Sequence, residues 1–208
     1  MLDKALGFSP DAYVPDLEDS VPDAEKKNAR DVTAAHLLKL SAGGIPVIPR
    51  VNALGTAWFE EDLAAVVQPS IYGISVGKIQ SVEDIATIAE RITGLERKVG
   101  LEVGKIRLIP WIETARAVVN CYRICKASPR IAAVAFGAED FTDDMGIERR
   151  DDDSEVAYAR SAVCIAARAA GVDAIDTPFF RFKDPDGLRL NVLAARQFGF
   201  KGKFAIHP

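Results

Sequence analysis

The sequence predicts an α/β protein built on a parallel sheet, either a (β/α) barrel or a wound open sheet. Short apolar runs alternate with helical patterns at a spacing of roughly thirty residues, the size of one βαβ unit. Several of these runs end in charged residues, which favours the barrel, because a barrel site draws on many strand ends. No Gly-x-Gly-x-x-Gly follows a strand and no Walker loop occurs, so dinucleotide and nucleoside triphosphate readings lose support.

With 208 residues and 49% hydrophobic content, the chain can bury one sizeable core, and a single domain over 1–208 is expected. A net charge of −4 argues against a nucleic-acid footprint or an anionic membrane surface. No apolar run approaches a membrane span, and Met1-Leu2-Asp3-Lys4 lacks a signal-peptide pattern. Cys121, Cys125 and Cys164 fall in helical patterns. Cys121 and Cys125 share a helix face, but no Cys or His at zinc-ligand spacing joins them, so buried thiols are expected. A cytoplasmic, reducing compartment fits that usage.

Taken in order, Leu2 to Leu6 reads as the tail of a helix closed by Gly7 and Pro10. Ala12 to Leu17 is a short strand ending in Asp16-Leu17-Glu18-Asp19-Ser20, and acids crowded this closely need solvent or a cation. Pro22-Asp23 opens a helix through Leu40, stopped by Gly43-Gly44. Ile45 to Pro49 is the next strand, and it delivers Arg50, whose fork can grip a carboxylate or a thioester oxygen. The bland alternative for Arg50 is an ion pair with a strand-end acid. Thr56 is expected to cap a helix carrying Trp58, Phe59, Leu63, Val66 and Val67.

Ile71 to Val76 is a strand ending in Gly77-Lys78. Ser81-Val82-Glu83-Asp84 resembles a capping box, and Ile85, Ile88, Ala89 and Ile92 form an amphipathic stripe after it. Lys78 is a Schiff-base nucleophile if desolvated, and otherwise a charge partner. Arg107 to Ile112 is a strand ending in Glu113-Thr114. Thr114 can cap the helix through Ala127, which delivers Glu113 at the mouth of the strand. Ile131 to Phe136 reads as a strand buried on both faces. A tight small-residue turn, Gly137-Ala138, then presents Glu139 and Asp140, where α/β proteins place chemistry.

Ser154 starts a helix to Ala170 that Gly171 stops. Val172 to Ile175 is a strand ending in Asp176-Thr177-Pro178, and Asp184-Pro185 starts a helix to Phe198-Gly199. Lys203 to Ile206 is the last strand, closing on His207-Pro208. His207 is a conceivable base, with a packed structural histidine the plainer reading. The strands number seven in this reading.

At this point the residues carry a resemblance. Asp16-Leu17-Glu18-Asp19-Ser20-Val21 with Lys26 and Ala29-Arg30, Arg50-Val51-Asn52, Lys78, Ile112-Glu113-Thr114 and Gly137-Ala138-Glu139-Asp140 resemble the citrate lyase β-subunit-like family of the HpcH/HpaI aldolase superfamily. Tyr158-Ala159-Arg160-Ser161, Ala174-Ile175-Asp176-Thr177 and Gly199 to Lys203 with Ile206-His207-Pro208 continue the match in order.

The resemblance implies a magnesium-dependent TIM (β/α)8-type barrel, with manganese as an alternative metal and strands two to eight present in this chain. It implies a carbon–carbon lyase acting between a 2-oxo acid and an acyl thioester of the citryl, malyl or citramalyl type. The carrier would be coenzyme A or an acyl carrier protein, and the assembly a homo-oligomer, trimer or hexamer. Carried over by position, Glu113 and Asp140 are the direct metal ligands. Arg50 holds the substrate and the developing enolate oxygen, while Glu18 and Asp19 act around the metal through water. Backbone N–H groups around Gly137, Ala138 and Glu139 suit the oxo-acid carboxylate.

The family pattern has a further strand before the first helix and a last helix and lid after Ile-His-Pro. Without them, the chain is expected either to associate or to keep an open seam between Ala12–Leu17 and Lys203–Ile206, with thioester cleavage weak or absent in both cases. Pro15 stands where relatives carry an aliphatic strand residue. Two other readings remain: a Schiff-base aldolase using Lys78, and a catalytically silent barrel that binds metal and oxo acid as an assembly subunit.

Overall fold

The computed structural model describes residues 2–206 and divides into two compact units. The first runs to Gly77 and resumes over Ala86–Ile109, and the second comprises Lys78–Ile85 and the chain from Pro110 onward.

The first unit begins with a short helix, α1 (Leu2–Ala5), and a 3-10 turn (Asp23–Glu25) that leads into α2 (Lys26–Ser41). It continues with β1 (Arg50–Val51), α3 (Phe59–Val66) and β2 (Gly73–Val76). Most of α4 (Val82–Lys98) and the start of β3 (Arg107–Ile112) also belong here. β1 and β2 pair in parallel, Arg50 opposite Ser75 and Val51 opposite Val76, and the Arg107 N–H donates to Tyr72 O at 3.1 Å. The core gathers Leu37, Leu40 and Leu63 from the helices with Val47, Ile74 and Leu108 from the extended segments. The stripe foreseen on α4 turns inward, with Ile88 and Ile92 fully buried. Near its end, Glu96 is withdrawn from solvent and accepts the N–H groups of Gly104 (2.9 Å) and Ile106 (2.7 Å), which shapes the turn into β3.

The second unit carries the end of β3, then α5 (Ala115–Lys126), β4 (Ala133–Phe136) and α6 (Ala138–Met145). A 3-10 turn (Ser154–Val156) precedes α7 (Ala157–Ala170), β5 (Asp173–Asp176), α8 (Pro185–Phe198) and β6 (Gly202–Lys203). Trp111 lies opposite Ala135, Val134 opposite Ala174, and Asp176 opposite Lys203, all in parallel pairs. The six strands follow one another in chain order, so the α/β class and the parallel sheet are as the sequence predicts. Local chemistry sets the helix ends. The Thr114 side chain accepts the Ala117 N–H, Asp184 accepts that of Gly187, and Gly171 ends α7 with φ of 79°. Ser81 and Asp84 cap each other's backbone N–H groups, as a capping box requires.

All three cysteines are buried on α5 and α7, with the Cys121 and Cys125 sulfurs 3.9 Å apart. The neighbouring Cys125 thiol and burial push Cys121 up, and burial pushes the Cys164 thiol up to about 12.

Several element boundaries differ from expectation, for identifiable reasons. Ala12–Leu17 forms only two isolated parallel bridges, Tyr13 to Val47 and Asp16 to Arg50. Pro15 and Pro46 have no N–H to give to the ladder between these segments, and Pro49 has none to give to β2, so β1 starts at Arg50 rather than at Ile45. Among the described residues, six named strands therefore stand where seven were expected. Thr56 does not cap α3, whose N-cap is Trp58, because its hydroxyl donates to Ala53 O instead. Glu139 and Asp140 lie in the first turn of α6 rather than in a tight turn, since the helix starts directly at the strand end. The last strand is limited to Gly202–Lys203, and His207 lies outside the described residues.

Gly73 shows how closely neighbouring strands approach. A Cβ added there would stand 2.8 Å from Arg107 O and 3.1 Å from Arg107 Cβ. Gly73→Ala should therefore destabilise the protein by about 1–3 kcal/mol, the usual range for overpacking, as read from chemical denaturation.

Candidate active site

In the first unit, the bridge between Asp16 and Arg50 sets an acidic loop against one arginine. Asp16 takes one edge of the guanidinium, accepting from Nε at 2.7 Å and from Nη2 at 2.6 Å. Nη1 lies 3.0 Å from Asp19 Oδ2 and 3.2 Å from Glu18 Oε2. Three acids are thus gathered on one fixed cation, the geometry in which Arg excels over Lys. Asp16 also accepts the backbone N–H groups of Glu18 (2.9 Å) and Ser20 (3.2 Å), so the loop is folded around it.

Lys26 closes the loop from beneath. It is buried, and its ammonium donates to Leu17 O (2.9 Å), Glu18 O (2.7 Å) and Asn52 Oδ1 (2.7 Å). Burial opposes the charge on Asp16, but the Arg50 bonds outweigh it and hold this carboxyl below its ordinary value of 3.8. Burial likewise opposes the charge on Arg50, yet Asp16, then Glu18 and Asp19, raise its pKa above the usual arginine value.

In the second unit, Glu113 follows β3 and is 1% exposed. Its Oε1 accepts the backbone N–H of Lys78, which adopts a left-handed conformation with φ of 59°. That geometry is uncommon for a lysine and orients the amide onto the carboxylate. The Lys78 ammonium lies 4.0 Å from Asp140 Oδ1, in the first turn of α6, so one residue touches both expected metal ligands. Gly137 makes room for Glu113: a Cβ there would stand 2.9 Å from Glu113 Cβ and collide with Oε2. Glu139 turns its carboxylate to Arg149 Nε at 3.0 Å, which leaves its backbone as the part suited to a ligand.

Other motif residues have scaffold roles that sequence reasoning left unassigned. Arg160 is fully buried and grips Asp176 with Nε (3.1 Å) and Nη2 (2.7 Å), while Lys203 donates to the same carboxylate at 2.7 Å. The Arg160 guanidinium lies 4.9 Å from the Phe198 ring and 5.8 Å from Phe200. Arg30 and Asn52 do the same for Asp62 in the first unit. Asp16 is the partner Arg50 depends on, and its signal was present in the acidic run. Thr177 is buried and accepts the Ala138 N–H at 3.2 Å, a role visible only after folding.

Among the described residues, no three His, Cys, Asp or Glu side chains converge as a metal cage. Magnesium does not require one: it commonly takes one or two carboxylates and fills its octahedron with water and substrate. Glu113 and Asp140, at a strand end and in a helical first turn, fit that demand in number and donor type. No helix among the described residues is long and apolar enough to cross a membrane.

Comparison with known proteins gives consistent results. A family model described as HpcH/HpaI aldolase/citrate lyase matches residues 1–208. The citrate lyase subunit beta of Leuconostoc mesenteroides subsp. cremoris is 36% identical over 201 residues, covering 97% of this chain and 67% of that protein. A (3S)-malyl-CoA thioesterase of Cereibacter sphaeroides is 32% identical over 207 residues, covering 100% of this chain and 68% of its own. The structure of the citrate lyase beta subunit from M. tuberculosis, complexed with oxaloacetate and magnesium, superposes with a TM-score of 0.81. The two share 28% identity, and the match covers 100% of this chain and 86% of that one.

The Asp16–Arg50 pair predicts a pH dependence. A carboxyl whose folded pKa is depressed contributes stability above its unfolded value, and that contribution disappears as pH falls through the folded value. The stability difference between the parent and Asp16→Asn should be about 1–3 kcal/mol at neutral pH. It should shrink once the pH drops below 3.8. Urea titrations of both proteins across that range measure it.

Proposed function

From the premise that this chain belongs to the HpcH/HpaI aldolase/citrate lyase family, we propose that it is a magnesium-dependent carbon–carbon lyase of the citryl, malyl or citramalyl thioester type. It would split a 3-hydroxyacyl thioester into an acyl thioester and a 2-oxo acid, or join the two. The observation that carries this reading is the pairing of Glu113 and Asp140 through Lys78 under a glycine that admits the carboxylate. The magnesium–oxaloacetate complex of the M. tuberculosis relative supports the same choice of metal and ligand class.

In this reading Glu113 and Asp140 hold the metal. Magnesium, when bound, supplies a Lewis acid that polarises the keto oxygen of the 2-oxo acid. Of the amides expected to receive the oxo-acid carboxylate, Gly137 N–H is held by Ile112 O and Ala138 N–H by Thr177 Oγ1. In this reading the Glu139 N–H therefore receives it, aided by the positive end of α6. On cleavage the hydroxyl gives its proton to water, and its oxygen forms the keto C=O as the carbon–carbon bond breaks. The bond pair moves onto the thioester fragment as an enolate, which takes a proton from water to give the acyl thioester. Arg50 offsets the enolate charge, its plane held by Asp16 so that little reorganisation is needed. Glu18 and Asp19 act around the metal through water. The thioester carrier is coenzyme A or an acyl carrier protein, and the working form is a cytoplasmic homo-oligomer.

The Schiff-base alternative has less support. The Lys78 side chain is 44% exposed and faces a carboxylate, whereas a nucleophilic lysine is activated by apolar surroundings or by another cation.

Glu113→Gln should abolish magnesium-dependent binding of oxaloacetate or pyruvate while leaving the circular dichroism spectrum unchanged. Calorimetric titration reads this, and a mutant that binds as the parent does removes Glu113 from the metal site. Arg50→Lys keeps the charge but loses the paired fork. It should reduce turnover of the thioester, or oxo-acid affinity, by about 10- to 100-fold, the loss of one charge-assisted bond. A near-normal variant would reduce Arg50 to a loop anchor for Asp16.

A further inference from the structure

We propose that Thr177 is a positioning residue, a remote cap that fixes the first turn of α6. Through that turn it places Asp140 and the amides offered to the oxo-acid carboxylate. The inference rests on the functional reading above for its consequence, but not for its geometry.

The first N–H groups of a helix lack intrahelical partners, and a Ser, Thr, Asp or Asn at the N-cap normally satisfies one of them. At α6 that solution is closed. The N-cap is Gly137, with no side-chain cap bond. A side chain there would collide with Glu113 and approach Trp111 Cε3 to 3.3 Å. The position that admits the Glu113 carboxylate therefore cannot carry its own cap.

The missing oxygen comes from another strand end. Thr177 Oγ1 accepts the Ala138 N–H at 3.2 Å across 39 residues of sequence, while Gly137 N–H is held by Ile112 O at 3.2 Å. Thr177 is 2% exposed and follows Asp176, which Arg160 and Lys203 bind on both oxygens. The cap is thus anchored beside a fully buried carboxylate that two cations bind. With Ala138 committed to Thr177, the amides offered to a ligand begin at Glu139, one residue nearer Asp140.

Removing the hydroxyl should loosen this turn without disturbing either carboxylate directly. Thr177→Val preserves shape and the β-branch, Thr177→Ala removes both, and Thr177→Ser restores only the hydroxyl. Amide hydrogen exchange over residues 138–145, measured without metal or ligand, should quicken in the Val and Ala variants and stay near the parent in Ser. Magnesium-dependent pyruvate affinity, by calorimetry, should fall about tenfold or more in Val and Ala, as for lost outer-shell partners, and recover in Ser.

Unchanged exchange in both hydroxyl-free variants would overturn the proposal. So would equal loss in Ser and Val, which would mean that packing rather than the hydrogen bond matters. Faster exchange with unchanged pyruvate affinity would overturn it too, because the ligand would not use the turn that Thr177 holds. If the parent binds neither magnesium nor pyruvate, the functional reading fails, and the exchange comparison alone decides whether Thr177 fixes α6.

Discussion

A carboxylate removed from water must find donors for both oxygens, and this constraint shapes both units. Asp62 and Asp176 are completely buried. Leaving either ion uncompensated would cost several kcal/mol, so the sequence must supply matching donors nearby. Arg30 and Asn52 meet Asp62, and Arg160 and Lys203 meet Asp176. These donors come from separate helices and strand ends, so satisfying each acid fixes where several elements terminate. Lys203 is held against its own desolvation in this way: burial lowers its pKa although Asp176 favours the charge.

The remaining acids separate by exposure. Asp62, Glu96 and Asp176 are sealed in and bound by the protein's own donors. Asp19 and Asp140 keep 48% and 40% of their side chains in solvent, each beside a cation. Glu113 is buried, and its Oε1 accepts the backbone N–H of Lys78. The same residue type thus serves as a sealed rivet in one place and as a solvent-facing acid in another, and the donors around it decide which.

Much of this was legible from the chain. The Arg107–Ile112 strand, the Thr114 cap and the Asp184-Pro185 helix start coincide with their expected places, because propensity and capping act locally. Strand ends carrying Glu113 and Arg50 could be read from apolar runs broken by a charge. The Ala12–Leu17 strand is shorter than expected because Pro46 on the facing segment, as well as Pro15, withholds an N–H from the ladder. Pairing was less visible than position. That Asp16 rather than Glu18 takes the Nε–Nη2 edge of Arg50, and that Thr177 reaches Ala138, depends on contacts 34 and 39 residues apart. The Gly137 requirement was hidden for a related reason: a glycine at a strand end suggests a turn, whereas its use here is the space its missing side chain leaves.

The placement of the sulfurs makes the two units distinguishable in a way unrelated to chemistry at the site. Cys121, Cys125 and Cys164 are all in the second unit, shielded between α5 and α7, and the first unit contains no thiol. Because thiolate formation is suppressed at Cys121 and Cys164, an alkylating reagent added to the native protein reaches them only during local opening. Labelling rates therefore act as a clock for one half of the molecule. Comparing that clock with a global unfolding probe separates breathing of the α5–α7 layer from loss of the whole fold.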